Sequence, residues 1–528
     1  MLRAIAKGLT TTLIFFLLVE ILLRGSYFVR NSMVRYVPLP YAFGDDYGPI
    51  PPWLDALLIL KNDNTLIWKN EPNVRRTYLD VFSPVHTERD RIALLRRFIP
   101  TVPQEFRSNP TWDVRINSGG YRGDEMPVVP PASTVRIACV GDSWTFGMPV
   151  GQDQTYPSRV AAWLHQEQPG TRYEVQNFGV LGYSSFQGLQ LLKTRVLDFH
   201  PDIVVIGFGM NDSEVAGYRD KDVVGGTDRP SVMSRLKETA KDAAGHIEGY
   251  NLLKYEAQVL TFRPKPISDY LKVDTEAKGA GPVDYDSIEP WTRVSPHDYE
   301  SNIREMIRLA REHGASVVLV DNELWSGSPY RTVLKKIAGE LDAPLVDSLA
   351  IVNAARTSIE ESLETRLNLA GRDDQLTPPP AGKTTVVFRA YRGSAEVPKG
   401  LSIVGADPQL GALVPNTVAM HDDGTGGDQE GGDGVWTFVA AFAPGKTVSY
   451  VYTNSGTPGQ WEGLDVPHVR RVDVPPAAGG RAVYLPIETF GRVYMQGDDW
   501  HTDAGGYDAI GHAVARAIST FPSSTRNR

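Results

Sequence analysis

Short apolar stretches alternate with amphipathic helical patterns along most of this chain, and this alternation limits its fold more than any other feature. Five stretches are predicted strands, at residues 135–140, 173–178, 203–208, 316–320 and 344–346. Helical patterns occur at residues 157–167, 185–197, 299–313, 332–341 and 504–518. Such alternation predicts a doubly wound α/β fold, in which helices cover both faces of a parallel sheet.

Two segments interrupt the alternation. Residues 213–295 separate a predicted strand from its helix, and their mixed character predicts a lid or a substrate-side insertion. The second segment begins after the stiff proline run at 377–380. Its apolar runs are divided by Gly, Asp and Pro, which predicts an inserted all-β sandwich module of about 90 residues.

The N-terminus carries an apolar run between Lys7 and Arg24. Residues 9–23 are apolar apart from three threonines and Glu20, and no small-x-small cleavage site follows them. This pattern predicts an uncleaved membrane anchor, with the catalytic domain in the cell envelope. An amphipathic or buried first helix is the alternative. Positive charges flank both ends of the run, so the charge pattern does not fix the orientation.

The length of 528 residues requires more than one domain. The expected segments are a membrane anchor at 1–34, an irregular lead-in at 35–132, an α/β domain formed by 133–376 and 481–522, and the inserted module at 377–480. The lead-in is expected to contain short helices, such as one at 89–97.

The net charge argues against nucleic-acid binding, and the cysteine content excludes an intramolecular disulfide. The formal net charge of −9 argues against a nucleic-acid binder, which needs a basic face. The single cysteine, Cys139, allows no intramolecular disulfide. Residues 421–434 cluster carboxylates among glycines, but the spacing differs from that of an EF-hand loop and favours a solvated hairpin. We expect no metal and no cofactor.

A candidate nucleophile follows the first predicted strand. Gly141-Asp142-Ser143 stands where this strand turns into a helix, at the end of the sheet where open α/β folds carry their chemistry. The backbone N–H groups that follow have no helical partners and can stabilise negative charge. Ser143 is therefore a candidate nucleophile, although serine at such a turn is also a common helix cap.

A candidate base lies just before the last helix. His501 follows Asp498 by three residues, and that carboxylate could hold the imidazole Nδ1 and leave Nε2 free for a serine hydroxyl. A surface turn capped by Thr502 or Asp503 is the alternative for this loop. Two further strand ends supply Gly182 and Asn211, where a backbone N–H or a side-chain amide could donate to an oxyanion.

These motifs, taken in order, resemble the SGNH (GDSL-type) hydrolase family. The four blocks are Gly141-Asp142-Ser143, Asn177 to Gly182, Gly209 to Asp212, and Asp498 to His501. The resemblance implies Ser143 as nucleophile, His501 as general base and Asp498 as the residue that orients it. It also implies an oxyanion hole formed by the Ser143 N–H, the Gly182 N–H and the Asn211 side chain, and a structural role for Asp142.

Two further segments resemble known families. Residues 115–125 are similar to a segment that precedes the nucleophile in membrane-anchored members of the same family, and we assign them no role. The inserted module resembles a starch-binding-type (family 20-like) carbohydrate module, which implies that Trp461 stacks on sugar and that Trp436 packs in the core. An aromatic residue is missing near Leu413 and a lysine is replaced by Val451, so sugar binding and a structural role stay open.

The sequence therefore predicts a membrane-anchored serine esterase that hydrolyses acyl groups, in particular acetyl groups, on a glycan. Its partners would be an acylated glycan or small ester and the membrane. The first alternative is a polysaccharide O-acyltransferase with the same triad, in which a sugar hydroxyl replaces water. The second is a non-catalytic glycan-binding envelope protein.

Overall fold

The computed structural model describes the chain in sixteen ranges. These are residues 2–33, 51–55, 59–63, 65–77, 113–148, 150–214, 219–224, 240, 243–261, 292–323, 327–367, 376–393, 400–453, 470–476, 481–490 and 501–521. The predicted helix at 89–97, Trp461 and Asp498 lie outside them.

The N-terminal part consists of one long helix and small elements. These are α1 (Leu2–Met33), α2 (Pro52–Asp55), β1 (Leu60–Asp63), β2 (Ile67–Asn70), β3 (Arg75–Thr77) and β4 (Asp113–Arg115). In α1 the span Lys7–Val29 is long and apolar enough to cross a membrane, a property that signal sequences share. β1 pairs with β2 and β3 with β4, both antiparallel, so the lead-in is more regular than predicted.

A five-stranded parallel sheet forms the centre of the molecule. Its strands are β5 (Thr134–Gly141), β6 (Arg172–Gly179), β7 (Ile203–Gly207), β8 (Ser316–Asp321) and β9 (Leu345–Asp347). They lie side by side in the order β6-β5-β7-β8-β9, which is the flavodoxin-like order. The predicted α/β fold with a parallel sheet is confirmed, and each strand lies within two residues of its expected position.

Helices cover both faces of this sheet. The helices that follow α2 are α3 (Ser143–Phe146), α4 (Tyr156–Glu167), α5 (Ser185–Leu191), α6 (Asp220–Val223), α7 (Glu248–Thr261), α8 (Pro296–Glu312), α9 (Pro329–Glu340), α10 (Ser348–Leu367) and α11 (Ala504–Ser519). Of these, α7 packs against α1 and α2. Side chains alternate between the faces along β7: Val204 and Ile206 pack towards α5, α8 and α9, whereas Ile203 and Val205 pack towards α4 and α11. Two apolar cores therefore hold the sheet from opposite sides.

Two helices differ from expectation. The pattern at 185–197 predicts one α-helix, but after α5 the backbone continues as a π-helix at Leu192–Val196 and a 3-10 turn at Leu197–Phe199. α10 has no predicted counterpart. Ser348 and Val352 are its buried residues among those described, so its sequence lacks the apolar period that marks a packed helix.

The described residues between α10 and α11 form seven strands. They are β10 (Thr384–Tyr391), β11 (Ser402–Gly405), β12 (Val435–Phe442), β13 (Thr447–Thr453), β14 (Arg470–Asp473), β15 (Val483–Tyr484) and β16 (Glu488–Thr489). β10 pairs with β12, β15 and β16, and β13 pairs with β11 and β14, so two sheets form. Their apolar side chains share one core, and Trp436 packs against it as expected.

Candidate active site

Ser143 and His501 lie within hydrogen-bonding distance of each other. The Nε2 atom of His501 is 2.8 Å from the Oγ atom of Ser143, and both residues are buried. They come from opposite ends of the α/β domain, 358 positions apart in the chain. A serine hydroxyl that shares a hydrogen bond with an imidazole has the geometry of a nucleophile with its base.

The backbone at Ser143 is fixed by the end of β5 and the start of α3. All eight residues of β5 are buried, and the strand ends directly before Asp142. The Asp142 carboxylate caps α3 by accepting the Trp144 N–H at 2.9 Å, which places Ser143 at the first helical position. Burial raises the pKa of Asp142 to about 6, against the opposing effects of this hydrogen bond and of the His501 charge.

His501 is placed by the N-terminus of α11. The Asp503 carboxylate caps this helix, accepting the N–H groups of Gly505 and Gly506 at 2.9 and 3.2 Å. The ring of Tyr507, one turn into the helix, packs edge-on against Trp144 with centroids 5.9 Å apart. Trp144 in turn lies 6.0 Å from the His501 ring. Docking of α11 therefore brings the imidazole to Ser143.

Asn211 connects the three loops that follow β5, β6 and β7. Its Nδ2 atom donates to the Tyr183 carbonyl at 3.2 Å and lies 3.4 Å from the Asp142 carboxylate. Gly182, next to Tyr183, has a φ of +72°, in the left-handed region that glycine tolerates. The structure thus brings four of the five predicted catalytic and oxyanion-hole residues to one edge of the sheet, and the fifth, Asp498, lies outside the described residues.

Arg122 is a residue of this site whose role the sequence did not reveal. Its buried guanidinium donates to the carbonyls of Phe146, Gly147 and Val150 at 2.8, 2.7 and 2.6 Å. Burial lowers the pKa of Arg122 to about 9. These acceptors lie at and just after the C-terminus of α3, so Arg122 caps the helix that starts at Ser143. Arg122 lies within residues 115–125, the segment that resembles a family motif. Its acceptors are backbone carbonyls, however, and a pattern of side chains in a sequence does not show which carbonyls an arginine will reach.

Asp212 anchors the loop after β7 to the start of α5. Its carboxylate accepts the Ser185 N–H at 3.0 and 3.1 Å, and it also bonds to the Ser185 hydroxyl. Burial raises the pKa of Asp212 to about 8, although these hydrogen bonds oppose the shift. The fold therefore favours a protonated carboxyl next to Asn211.

The carboxylates of the acidic loop at 421–434 have partners, either backbone N–H groups of the same loop or Arg366. Asp428 accepts the Gly424 N–H at 2.7 Å, Asp422 accepts the Gly432 N–H at 2.8 Å, and Asp433 pairs with Arg366 at 2.8 Å. In the described part of the chain, no group of three or more His, Cys, Asp or Glu side chains could hold a metal ion.

Comparison with known families identifies the domain that carries Ser143. Residues 139–382 match the model of the GDSL-like Lipase/Acylhydrolase family. The chain is similar to that family over these residues. The matched segment contains Ser143, Gly182 and Asn211, and it ends before the inserted strands and His501. The match supports the expectation of an ester hydrolase.

Individual relatives are similar over shorter stretches. An acetylxylan esterase from Xylanibacter ruminicola is 33% identical over 98 residues, which are 17% of this chain and 19% of that protein. The chain thus spans about a fifth of the length of this curated relative.

Two solved esterases were also matched to the chain. The structure of an acetyl xylan esterase variant from Geobacillus stearothermophilus aligns over 42% of this chain and 81% of its own, at 17% identity and a TM-score of 0.25. The SGNH-hydrolase family esterase AlinE4 aligns over 48% and 89%, at 16% identity and a TM-score of 0.24. At these scores neither structure bears on the function.

Proposed function

We propose that this protein is a membrane-anchored serine esterase that removes acyl groups, in particular acetyl groups, from a glycan. The observation that carries the proposal is the 2.8 Å distance between Ser143 Oγ and His501 Nε2 at the edge of the sheet where Gly182 and Asn211 also lie. The family of residues 139–382 supports ester hydrolysis as the reaction.

In the proposed reaction, Ser143 Oγ attacks the ester carbonyl carbon while its proton passes to His501 Nε2. The carbonyl electron pair moves to oxygen, and this oxyanion accepts hydrogen bonds from the N–H groups of Ser143 and Gly182 and from the Asn211 amide. Collapse of the intermediate breaks the bond to the alcohol, which takes the proton from Nε2 and leaves an acyl-serine.

The second half of the reaction repeats these steps with water. Water attacks the acyl carbon and gives its proton to Nε2, and collapse releases the acid and returns the proton to Ser143. Asp498, three residues before His501, is proposed to accept a hydrogen bond from the Nδ1–H group, which fixes the tautomer and keeps Nε2 unprotonated towards the serine.

The test is hydrolysis of p-nitrophenyl acetate by the full chain in detergent. We expect turnover by the native protein and a loss of about 10⁴-fold in Ser143→Ala, together with loss of labelling by a fluorophosphonate. A folded native protein that neither hydrolyses the ester nor reacts with the fluorophosphonate would exclude the serine mechanism.

A glycan substrate is supported by two observations. A relative over 98 residues is an acetylxylan esterase, and the strands β10 to β16 are inserted shortly before His501, where they could present a polymer. Trp461 is the proposed sugar-stacking residue. We expect Trp461→Ala to raise KM for acetylated xylan and to leave p-nitrophenyl acetate hydrolysis unchanged, whereas Trp461→Phe keeps a stacking ring. A native KM for the polymer in Trp461→Ala would remove the role of Trp461.

Transfer to a sugar hydroxyl is the competing reaction of the same acyl-enzyme. Its product is a new sugar ester, whereas hydrolysis releases free acetate. Incubation with p-nitrophenyl acetate and added xylo-oligosaccharide separates the two, because the ratio of acetate to acetylated sugar measures the partition. We expect acetate to dominate; mostly acetylated sugar would make the protein a transferase.

Membrane anchoring is supported by the exposure of α1. Only 6% of its most apolar window is buried in the fold, and Leu9, Leu13 and Phe15 are among its exposed side chains. Beside it, α7 also exposes apolar residues, with Leu253 and Leu260 on the same face. The N–H groups at the start of α7 donate to Glu20 of α1.

Flotation with phosphatidylcholine vesicles tests this anchor. We expect the full chain to float with the vesicles after a wash in 1 M salt, because the contact is apolar, and Leu13→Arg with Leu17→Arg to remain at the bottom. Release of the native chain by salt would replace the anchor with a peripheral contact.

A further inference from the structure

We propose that Trp68 is a positioning residue for the oxyanion hole: its indole N–H holds the peptide unit that carries the Gly182 N–H. The proposal rests on the proposed function, in which this N–H stabilises the oxyanion. Trp68 lies on β2, in the segment that the sequence predicts to be an irregular lead-in and that lies before the family match.

The contact is a hydrogen bond from Trp68 Nε1 to the Leu181 carbonyl at 2.9 Å. This carbonyl and the Gly182 N–H belong to the same peptide unit. In a planar trans peptide the C=O and the N–H point in opposite directions. A donor that fixes the carbonyl therefore also fixes the direction of the N–H on the other side.

The neighbouring carbonyls of this loop are all occupied. Val180 O accepts the Tyr183 N–H at 3.2 Å, Gly182 O accepts from Arg293 at 2.7 Å, and Tyr183 O accepts from Asn211 at 3.2 Å. Among the described residues the Gly182 N–H has no acceptor. The loop is thus held through its carbonyls, and this N–H remains available for a ligand.

Trp68 is itself held on several sides. Its carbonyl accepts the Tyr183 hydroxyl at 2.6 Å, and the two rings pack edge-on at 6.1 Å. The Arg293 guanidinium lies 5.2 Å from the indole centroid. Position 182 leaves room for the indole because it has no side chain: a methyl group there would lie 3.3 Å from Trp68 Cζ2. These contacts leave the indole little freedom to turn.

Arg293 supports the same loop from a buried position. It pairs with Asp220 through two hydrogen bonds of 3.1 and 2.9 Å and donates to Gln187 at 2.7 Å. Its Nη1 group donates to the Gly182 carbonyl at 2.7 Å and to the Glu214 carboxylate at 3.3 Å. Arg293 therefore fixes the peptide unit after Gly182, whereas Trp68 fixes the one before it.

The chemical effect is on the transition state. A hydrogen bond to a peptide carbonyl polarises the unit, which makes its N–H a stronger donor. Charge on the substrate oxygen develops only as the serine adds, so an oriented donor stabilises the transition state more than the bound ester. Loss of the indole N–H is therefore expected to lower kcat and to leave KM nearly unchanged.

The test compares Trp68→Phe with the native full chain in hydrolysis of p-nitrophenyl acetate. The phenyl ring keeps the contacts to Arg293 and Tyr183 but has no donor. We expect kcat to fall by about tenfold, less than the 10²–10³-fold loss typical when an oxyanion donor itself is removed, with KM within about twofold. Affinity for a boronic acid, which forms a tetrahedral adduct with serine, should fall in parallel.

Two further variants separate the donor from the fold. Replacement of Trp68 by benzothienylalanine substitutes sulfur for the N–H in the same shape, and it should give the same loss of kcat. Trp436→Phe removes a buried indole N–H at the module core that has no partner among the described residues, and it should keep native kcat.

The possible outcomes are distinct. Native kcat in both Trp68 variants would overturn the role of Trp68 while the esterase stands. A fall in kcat with Phe but not with benzothienylalanine would overturn it too, because packing alone would then explain the loss. An inactive native protein would overturn the proposed function and this inference with it.

Discussion

The Cα atom of Gly179, at the end of β6, lies directly against the backbone of Phe146 in the helix that begins at Ser143. A methyl group at position 179 would overlap the backbone nitrogen of Phe146 and lie 2.6 Å from its Cα. Both sides of this contact are main chain, so neither can turn away. The close approach couples the loop after β6 to the position of Ser143, the proposed nucleophile.

Gly179→Ala is expected to destabilise the α/β domain and to lower activity. The added methyl must push α3 away from β6, at a cost of about 2–3 kcal/mol of unfolding free energy. Calorimetry and p-nitrophenyl acetate hydrolysis would measure the two effects. Gly170→Ala is the matched control, since nothing lies within 4 Å of its added methyl. Equal thermal midpoints in the two variants would contradict the close approach.

His501→Gln is expected to reduce kcat by about 10⁴-fold with little change in the thermal midpoint, because glutamine cannot take the Ser143 proton. His512→Gln serves as the control. That histidine lies on α11, the helix that follows His501, but it contacts Glu167 at 3.0 Å and stacks on Trp163, so kcat should stay within twofold of native. Similar losses in both variants would indicate damage to α11 rather than loss of a base.

Arg122→Lys should lower both stability and kcat. A lysine cannot reach the three carbonyls after α3 together, and each carbonyl that loses its donor costs about 1–3 kcal/mol when buried. Thermal midpoint and kcat are the measurements. Arg172→Lys, at an exposed arginine that starts β6, should change neither. An unchanged midpoint in Arg122→Lys would show that α3 needs no guanidinium cap.

Asp212→Asn should flatten the pH dependence of stability. An aspartate in the unfolded chain has a pKa of about 3.9, and burial raises the pKa of Asp212 to about 8 in the folded protein. Between these values the folded state binds more protons, so this group stabilises the fold at low pH and its contribution is lost as pH rises towards 8. Asparagine carries no such proton.

The measurement is the thermal midpoint from pH 5 to pH 8.5. Over this interval the midpoint of Asp212→Asn should rise relative to that of the native protein as the pH increases. Asp298 supplies the contrast, because hydrogen bonds from Lys221 and Ser295 outweigh burial and hold its pKa below the ordinary range. Asp298→Asn should therefore show a constant loss over the same interval. A constant difference for Asp212→Asn as well would place the folded-state pKa of Asp212 below this window.

The sheet was predictable because its strands are buried on both faces. Continuous apolar runs such as 203–207 are visible in a sequence without knowledge of their neighbours. The lead-in gave no such signal, since β3 and β4 have three residues each and cannot show a period. α10 escaped prediction for a related reason: a helix with few buried side chains needs no apolar stripe.

For the active site, side-chain chemistry was predictable and backbone support was not. Ser143 and His501 were found from motifs at element ends, and the fold brings them together. Trp68, Arg122 and Arg293 act on main-chain carbonyls, whose positions depend on the complete fold. No residue type in the sequence indicates which carbonyl a distant donor will meet.

The separation of Ser143 and His501 has a consequence for biosynthesis. A ribosome adds about 5–20 residues per second, so roughly 20–70 s pass between synthesis of the serine and that of the histidine 358 positions later. During this time the growing chain has a serine without its proposed base. Because His501 supplies the proposed base, we expect no hydrolytic activity until synthesis has passed position 501 and α11 has folded, and none in a product truncated before that position.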